Sequence, residues 1–269
     1  MKKLYFFIGT EAELMKMFRV IQEAKQRGYE CSIISNGQND IKNSYYLDLV
    51  GGNIDVDLTE KMPDKKTAVN YLKWFIKTER LGVKVMKQEK ARNRDIIMII
   101  HGDTLSTLMG ARIAHKCDIE YMHVESGLRS FNWFSPFPEE IDRYFSSKNS
   151  VINFCQKAEA AEYAAKTFKG RAVNTIYNTG IEILYNALDV IDKEERKSPL
   201  SEKYFLTAIH RQENLMDGKF MRNTFSKIFE MSKVMKCVFI YHVQTKNALI
   251  KFGLWDKFEE CKNIVKIPR

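Results

Sequence analysis

Charged side chains stand directly after two apolar runs of this sequence, and they are its first candidates for chemistry. The run Ile96–Ile100 leads into His101-Gly102-Asp103-Thr104, and the run Tyr121–Val124 leads into Glu125. A carboxylate at the end of a buried strand costs free energy unless it is paired or takes part in chemistry. Two carboxylates in different surroundings could serve as acid and base. Asp103 also has a simpler interpretation, because Asp is a good N-cap for a following helix.

A proline-rich segment supplies two more carboxylates and a cation. Residues 135–140 read Ser-Pro-Phe-Pro-Glu-Glu, and Arg143 follows. The prolines end extended structure and open a helix whose first turn holds Glu139 and Glu140, where the helix dipole favours negative charge. Glu139 and Arg143 are four residues apart and therefore share one face of that helix. We interpret Glu140 as part of a well-capped surface helix.

The second half of the chain places a histidine after each of two predicted strands. Tyr204–Ala208 is followed by Ile209 and His210, and Val238–Tyr241 is followed by His242. Either histidine alone would more often be an ordinary hydrogen-bonded residue, but two at equivalent positions indicate a site. The sequence has no His/Cys cluster with metal-ligand spacing, no G-x-G-x-x-G turn and no P-loop. We therefore predict no metal and no cofactor, and neither a nicotinamide enzyme nor a P-loop NTPase.

The elements that must position these residues alternate along the whole chain. Short apolar runs, such as Leu4–Ile8 and Ile96–Ile100, alternate with segments of helical period, such as Glu11–Gln26 and Thr104–Lys116. This rhythm predicts an α/β fold with parallel sheets, in which ligands bind beyond the carboxyl ends of the strands. A second series of alternating strands and helices begins near residue 178, so we predict two domains, residues 1–178 and 179–269.

Composition narrows the class of protein. The chain has 269 residues, of which 45% are hydrophobic, and a net charge of +9. The excess of positive charge suits nucleic acid, a membrane surface or a small polyanion such as a nucleotide diphosphate. The basic residues are scattered and form no stripe interleaved with aromatic residues, so we expect no nucleic-acid partner. No apolar run reaches the roughly 18 residues of a membrane span. The five widely spaced cysteines indicate reduced, mostly buried thiols and a cytoplasmic location.

Together, these segments resemble the UDP-N-acetylglucosamine 2-epimerase family. The matching blocks run in the family's order over nearly the whole chain, and H-V-E-S-G-L-R followed by S-P-F-P-E-E is the most diagnostic part. The blocks are Gly9-Thr10 with Glu13 and Lys16, Gly37-Gln38, His101–Thr104, His123–Arg129, Ser135–Glu140 with Arg143, His210–Asn214, and His242.

The resemblance implies a GT-B-like fold with two Rossmann-like domains and an active site in the cleft between them. It also implies that the protein interconverts UDP-N-acetylglucosamine and UDP-N-acetylmannosamine. The family's route eliminates UDP to give 2-acetamidoglucal and then adds UDP back. Some relatives hydrolyse the intermediate instead and release N-acetylmannosamine and UDP. A homodimer is also expected from the resemblance.

The resemblance assigns roles to nine residues. The family's catalytic carboxylates and histidine fall on Asp103, Glu125, Glu139 and His210. Contacts to the phosphates or the sugar are expected from Lys16, Arg143 and Arg211. Binding of the UDP-sugar is further expected from Gln38 and His242.

The chain also departs from the family's pattern. Glu11-Ala12 stands where the family usually has Arg-Pro, and Asn39 stands where many members have histidine. Family members continue for about another hundred residues beyond the last strand, so we expect the second sheet to be incomplete, with about three strands. Two other functions remain open on the sequence alone: another GT-B glycosyltransferase, and a non-catalytic protein that binds nucleotide-sugars.

Overall fold

Strands and helices alternate along the chain in the computed structural model, which describes residues 2–59, 67–93, 95–198 and 200–268. The strands are β1 (Lys3–Ile8), β2 (Glu30–Ser35), β3 (Val56–Asp57), β4 (Ile96–His101), β5 (Glu120–Val124), β6 (Ile152–Cys155), β7 (Arg171–Asn174), β8 (Tyr204–Ala208), β9 (Lys236–Tyr241) and β10 (Ile264–Pro268). The helices are α1 (Glu11–Gln26), α2 (Tyr45–Leu49), α3 (Ala68–Arg92), α4 (Leu105–Lys116), α5 (Glu139–Ser147), α6 (Ala158–Thr167), α7 (Ile181–Lys193), α8 (Gln212–Met216), α9 (Gly218–Ser232), α10 (Val243–Lys251) and α11 (Trp255–Glu260).

The chain divides into two compact units, Met1–Val190 and Ile191–Arg269. Most of α7 groups with the first unit, where Arg19 of α1 lies 3.8 Å from Glu182 and 4.0 Å from Asp189. The domain boundary after residue 178 remains a prediction, and it lies just before α7.

The first unit is built on a seven-stranded parallel sheet with the strand order β3-β2-β1-β4-β5-β6-β7. β1 pairs with β2 on one side and with β4 on the other, so the direction of winding reverses between β1 and β4. In open parallel sheets, ligands bind in the crevice beyond the carboxyl ends of the strands at such a switch point. The turns after β1, β4 and β5 are therefore the place where the fold would build a site.

Alternation along the strands sends apolar side chains to both faces of this sheet. Tyr5 and Phe7 pack into the cluster beneath α3 and α4, while Phe6 and Ile8 pack against α1 on the other face. All six residues of β4 are buried, as the run of five apolar residues predicts for a central parallel strand.

The second unit has a three-stranded parallel sheet in the order β10-β9-β8. Its core is largely aromatic, with Phe225, Phe239 and Phe258 in mutual ring contact. Two parallel sheets covered by helices, the second one small, confirm the predicted α/β fold. Within the described ranges, no helix is long and apolar enough to cross a bilayer.

Candidate functional site

The turn after β1 is fixed by a buried glutamate. Glu13 is 2% exposed, and its Oε2 accepts hydrogen bonds from the amides of Gly9 and Thr10 at 2.6 and 2.9 Å. Its Oε1 accepts from the Thr104 hydroxyl at 2.5 Å and from the Thr107 hydroxyl at 3.3 Å. Burial raises the pKa of Glu13, although these hydrogen bonds oppose that effect. Glu13 thus ties the turn after β1 to the turn after β4, the two turns that flank the switch point.

Glu125 follows β5 and forms the first charged group of the site. Its Oε2 lies 2.7 Å from Lys16 Nζ and 3.2 Å from His101 Nε2. Burial alone would raise the pKa of this carboxyl, but His101 and Lys16 lower it to about 2. The backbone of Glu125 is left-handed, with φ 65°, a conformation that costs about 1–2 kcal/mol for a residue other than glycine. The surrounding structure therefore keeps Glu125 ionised and holds its backbone in an unfavourable conformation.

Asp103 and Arg143 form the second charged group. Asp103 follows β4 after Gly102, whose φ is 76°. Arg143 directs Nε and Nη2 at the same Asp103 oxygen, at 2.8 and 2.7 Å. Asp103 is therefore more than a helix cap, and the side chain that caps α4 is that of Thr104.

The first turn of α5 carries two further carboxyl groups, those of Glu139 and Asp142. α5 begins at Glu139, after Pro136 and Pro138. Glu139 Oε2 and Asp142 Oδ2 are both buried and have no hydrogen-bond partner among the described residues. Burial and the charges of Asp103 and Glu139 raise the pKa of Asp142 to about 7.

Glu140, on the same turn, has a structural role, but it does not lie on a surface helix as predicted. It is fully buried, and Arg129 Nε donates to its Oε1 at 2.5 Å. The amides of Ser130 and Phe131 donate to the same carboxylate at 3.0 and 3.1 Å. Burial would raise the pKa of Glu140, but these donors hold it below its usual value. The sequence interpretation missed the burial because it did not foresee that Arg129, in the loop that leads into α5, folds back to supply a counter-charge.

A buried polar network lies beneath the turns after β4 and β5. His123 is fully buried, with Nδ1 2.9 Å from the Ser147 hydroxyl and Nε2 2.7 Å from the Gly102 carbonyl. The Ser126 hydroxyl lies 2.8 Å from that of Ser147. Burial lowers the pKa of His123 to about 4, so its ring is neutral at pH 7. The network joins the last turn of α5 to β5 and so sets the position of the helix that carries Arg143.

Gln38, predicted to bind substrate, has a partner within the protein. Its Oε1 accepts a hydrogen bond from the amide of Ser106, in the first turn of α4, at 2.8 Å. Gln38 therefore orders the N-terminus of α4 next to Asp103.

In the second unit, the two strand-end histidines meet. The rings of His210 and His242 lie 5.9 Å apart, edge to face. Both line a cleft of about 670 Å³ together with Gln212, Leu215, Met216, Gln244, Asn247, Ala248 and Lys251. Arg211 is exposed, with its Nη1 3.9 Å from Glu213 Oε1. The two histidines that follow β8 and β9 in the sequence are therefore neighbours in this unit.

Three residues of the first unit were not predicted as site residues. His101 was quoted only as part of a motif, yet it is 3% exposed and contacts Glu125. Glu13 could have been recognised from the capping-box spacing Thr10-x-x-Glu13. Asp142 lies three residues after Glu139, a spacing that places both on one helix face.

Comparison with known proteins agrees with this architecture. The sequence profile of the family described as UDP-N-acetylglucosamine 2-epimerase matches residues 22–268. The chain belongs to this family. The predicted resemblance is therefore confirmed.

Named relatives and solved structures extend the comparison. The UDP-N-acetylglucosamine 2-epimerase of Methanocaldococcus jannaschii is 27% identical over 277 residues, covering 97% of this chain and 72% of that protein. The enzyme of the same name from Bacillus subtilis is 28% identical, covering 96% of this chain and 68% of the relative. The UDP-GlcNAc 2-epimerase of Neisseria meningitidis, solved bound to UDP-GlcNAc, matches with a TM-score of 0.78 at 22% identity, covering 100% of this chain and 72% of that one. The likeness of fold confirms the GT-B-like class.

Proposed function

We propose that this chain interconverts UDP-N-acetylglucosamine and UDP-N-acetylmannosamine by inverting carbon 2 of the sugar. Family membership supports the proposal. The observation that carries it is the pair of ion-paired carboxylates at the switch point of the first sheet. Glu125 is paired with Lys16, and Asp103 is paired with Arg143.

The chemistry explains why several carboxyl groups are needed. The proton on carbon 2 is not acidic, because no carbonyl group is attached to that carbon. Removing this proton while the C1–O bond to the diphosphate breaks gives a C1=C2 double bond, and the bonding electrons of C1–O leave with UDP. Re-addition of UDP with a proton delivered to the other face of carbon 2 gives the epimer. Such a route needs one group to accept a proton, another to donate one, and cations or donors for the departing diphosphate.

The charges and partners of the carboxyl groups in the first unit suggest which of them accepts a proton and which donates one. Glu125 is an anion at neutral pH, since its pKa is about 2, and so we assign it to proton acceptance or to stabilising positive charge. Arg143 compensates the charge of Asp103, so Asp103 can orient the sugar or accept a proton. Glu139 has a buried oxygen with no hydrogen-bond partner among the described residues and is our candidate for the proton donor.

We assign the diphosphate to cationic and hydrogen-bonding side chains. In the second unit, His210 and His242 line one cleft, and Arg211 follows His210. Imidazole and guanidinium groups are donors suited to phosphate oxygens. Lys16 of the first unit is a further candidate for contact with the phosphates or the sugar.

Location and assembly are further proposals. All five cysteines are free, and three of them are buried, which supports a reducing cytoplasmic environment. The homodimer implied by the resemblance remains a prediction, which light scattering on the purified protein would check.

The decisive experiment is proton NMR of the purified chain with UDP-N-acetylglucosamine in deuterated water. We expect UDP-N-acetylmannosamine that carries deuterium at carbon 2. Free N-acetylmannosamine with UDP would identify the hydrolysing reaction instead. Binding of the UDP-sugar without product, from a folded chain, would favour a non-catalytic binding protein and overturn the proposal.

Variants connect the reaction to the site. Asp103→Asn and Glu139→Gln should each reduce turnover by at least about a hundredfold, because acid–base groups contribute about 10²–10⁴-fold. Glu162→Gln is the matched control, since Glu162 is exposed on α6 and forms an ion pair with the exposed Lys166. Full turnover in both site variants, with thermal melting unchanged, would show that the carboxylate mechanism is wrong.

A further inference from the structure

The buried ring of His123 has no role in the reaction proposed above, yet its two nitrogens have partners of different kinds. Its Nε2 lies 2.7 Å from the carbonyl oxygen of Gly102, and its Nδ1 lies 2.9 Å from the hydroxyl oxygen of Ser147. A carbonyl oxygen can only accept a hydrogen bond, so Nε2 must carry a proton. Burial lowers the pKa of this imidazole to about 4, and the ring therefore holds a single proton at pH 7. Because that proton is on Nε2, Nδ1 is an acceptor.

The hydroxyl of Ser147 supplies the hydrogen bond that Nδ1 accepts. Its Oγ also lies 2.8 Å from the Arg143 carbonyl and 2.8 Å from the Ser126 hydroxyl. That carbonyl lies within α5, where a helical amide is its regular partner, and Ser126 has a hydroxyl proton of its own. Neither group depends on Ser147 for a proton, whereas a buried imidazole nitrogen without a donor is costly. Donation from Ser147 to His123 is therefore the favoured arrangement.

Gly102, which accepts a hydrogen bond from the ring, is tied to β5 through both its amide and its carbonyl. The amide donates to the Val124 carbonyl at 2.9 Å, and the carbonyl accepts from His123. The φ of Gly102 is 76°, a backbone conformation that glycine adopts readily and other residues rarely do. Its carbonyl and the amide of Asp103 belong to one planar peptide unit. The hydrogen bond from His123 therefore fixes the direction in which the chain enters Asp103.

The same ring connects the two elements that carry the Asp103–Arg143 ion pair. Asp103 follows the peptide whose carbonyl the ring holds, while Arg143 lies one helical turn before Ser147 on α5. Arg143 in turn directs two nitrogens at Asp103. A shift of either element would move the carboxylate relative to a bound sugar, and a misplacement of about 1 Å can cost about a hundredfold in rate.

We propose that His123 is a positioning residue for Asp103: as a neutral ring protonated on Nε2, it accepts a hydrogen bond from Ser147, donates one to the carbonyl of Gly102 and so aims the carboxylate. The ring transfers no proton in the reaction and does not contact the sugar. Its role in turnover rests on the proposed function, whereas its tautomer and its hydrogen bonds do not.

Nitrogen NMR of protein labelled at histidine tests the hydrogen bonds without turnover, because the two ring nitrogens have different chemical shifts in each tautomer. His123→Gln identifies the signals of His123 by their loss. Between pH 6 and 8 these signals should remain those of a neutral ring protonated on Nε2. His115→Gln, at an exposed residue in the last turn of α4, is the matched control and should leave them unchanged. A ring protonated on Nδ1, or on both nitrogens, would overturn the inference.

The Nε proton of Arg143 reports whether Asp103 is held in place, since this nitrogen donates to the carboxylate at 2.8 Å. The proton should exchange with solvent at least about tenfold faster in His123→Leu, where the side chain is apolar and cannot donate, than in the unmodified chain. His123→Gln, whose amide can donate to the Gly102 carbonyl, should restore slow exchange. Equal exchange rates in His123→Leu and the unmodified chain would show that the ring does not hold Asp103. If His123→Leu does not fold, the tautomer in the unmodified chain still decides the inference.

Kinetics test the role in turnover. For His123→Leu we expect kcat to fall about ten- to a hundredfold and KM to stay within about twofold, because the ring positions Asp103 and does not touch the substrate. His123→Gln should recover kcat to within about threefold of the unmodified chain. An equal loss in both variants would identify a residue needed only for packing and would refute the positioning role. Absence of turnover in the unmodified chain would instead refute the proposed function, and the nitrogen NMR and the exchange of the Arg143 proton would still decide whether His123 holds Asp103.

Discussion

Removal of the Glu125 charge should change how the stability of the protein depends on pH. The pKa of Glu125 is lowered from 4.5 to about 2 in the folded chain, and its side chain is only 16% exposed beside Lys16. Because the folded pKa lies below the unfolded one, the ionised group stabilises the fold above pH 4.5, and this contribution is lost as the pH falls toward 2. At about 1.4 kcal/mol for each pH unit between the two pKa values, the full contribution is about 3 kcal/mol. By proton linkage, about 1 kcal/mol of this stabilisation is lost by the time the pH has fallen to 4, and about 2 kcal/mol by pH 3.

The assay is urea unfolding of the unmodified chain and of Glu125→Gln at several pH values between 6 and 3. The difference in unfolding free energy between the two proteins should shrink by about 2 kcal/mol over that range, because only the unmodified chain loses the charge. Glu162→Gln is the control, since its exposed pair with Lys166 is screened by solvent and should produce little pH dependence. A constant difference between pH 6 and pH 3 for Glu125→Gln would show that Lys16 and His101 do not hold the anion in the way described.

Three further substitutions test the packing around the site. Ser147→Ala deprives the buried ring of His123 of a partner and should lower the unfolding free energy by about 1–3 kcal/mol, while an unchanged urea midpoint would mean that the ring finds another partner. Gly110→Ala places a methyl group 2.8 Å from Ile100 and should cost about 1–3 kcal/mol in a thermal scan, whereas a higher Tm would contradict the tight contact between α4 and β4. Arg129→Lys retains the charge but loses the planar contacts of the guanidinium group with four aromatic rings, so proteolysis of the loop at 130–137 should be faster. An unchanged cleavage rate would show that these contacts do not hold the loop in place.

The sheet and part of the candidate site could be predicted because they depend on local pattern. The run Ile96–Ile100 identified the central strand, and parallel strands bring their carboxyl ends to one edge. That reasoning placed Asp103 and Glu125 directly after strands at this edge. The structure shows that the two strands are neighbours and pairs the carboxylates with Arg143 and Lys16.

The remainder depends on tertiary contacts that no local pattern records. β3 has two residues and α2 has five, too few to establish a period. The local pattern predicts a surface position for Glu140, because it does not show that Arg129 of the preceding loop folds back to neutralise the carboxylate. Likewise, the burial of Asp142 depends on the helices and turns that cover α5.

Glu13 joins two turns that are separated by about ninety residues of chain, and this has a consequence for local opening of the molecule. Amide protons in surface turns normally exchange with solvent quickly, because little structure must open to release them. The amides of Gly9 and Thr10 are instead bound to a carboxylate that is itself held by a hydroxyl of the turn after β4. Their exchange therefore requires both turns to separate, so these loop amides should exchange as slowly as those of the central strands, and the rim of the switch point opens as a single cooperative unit.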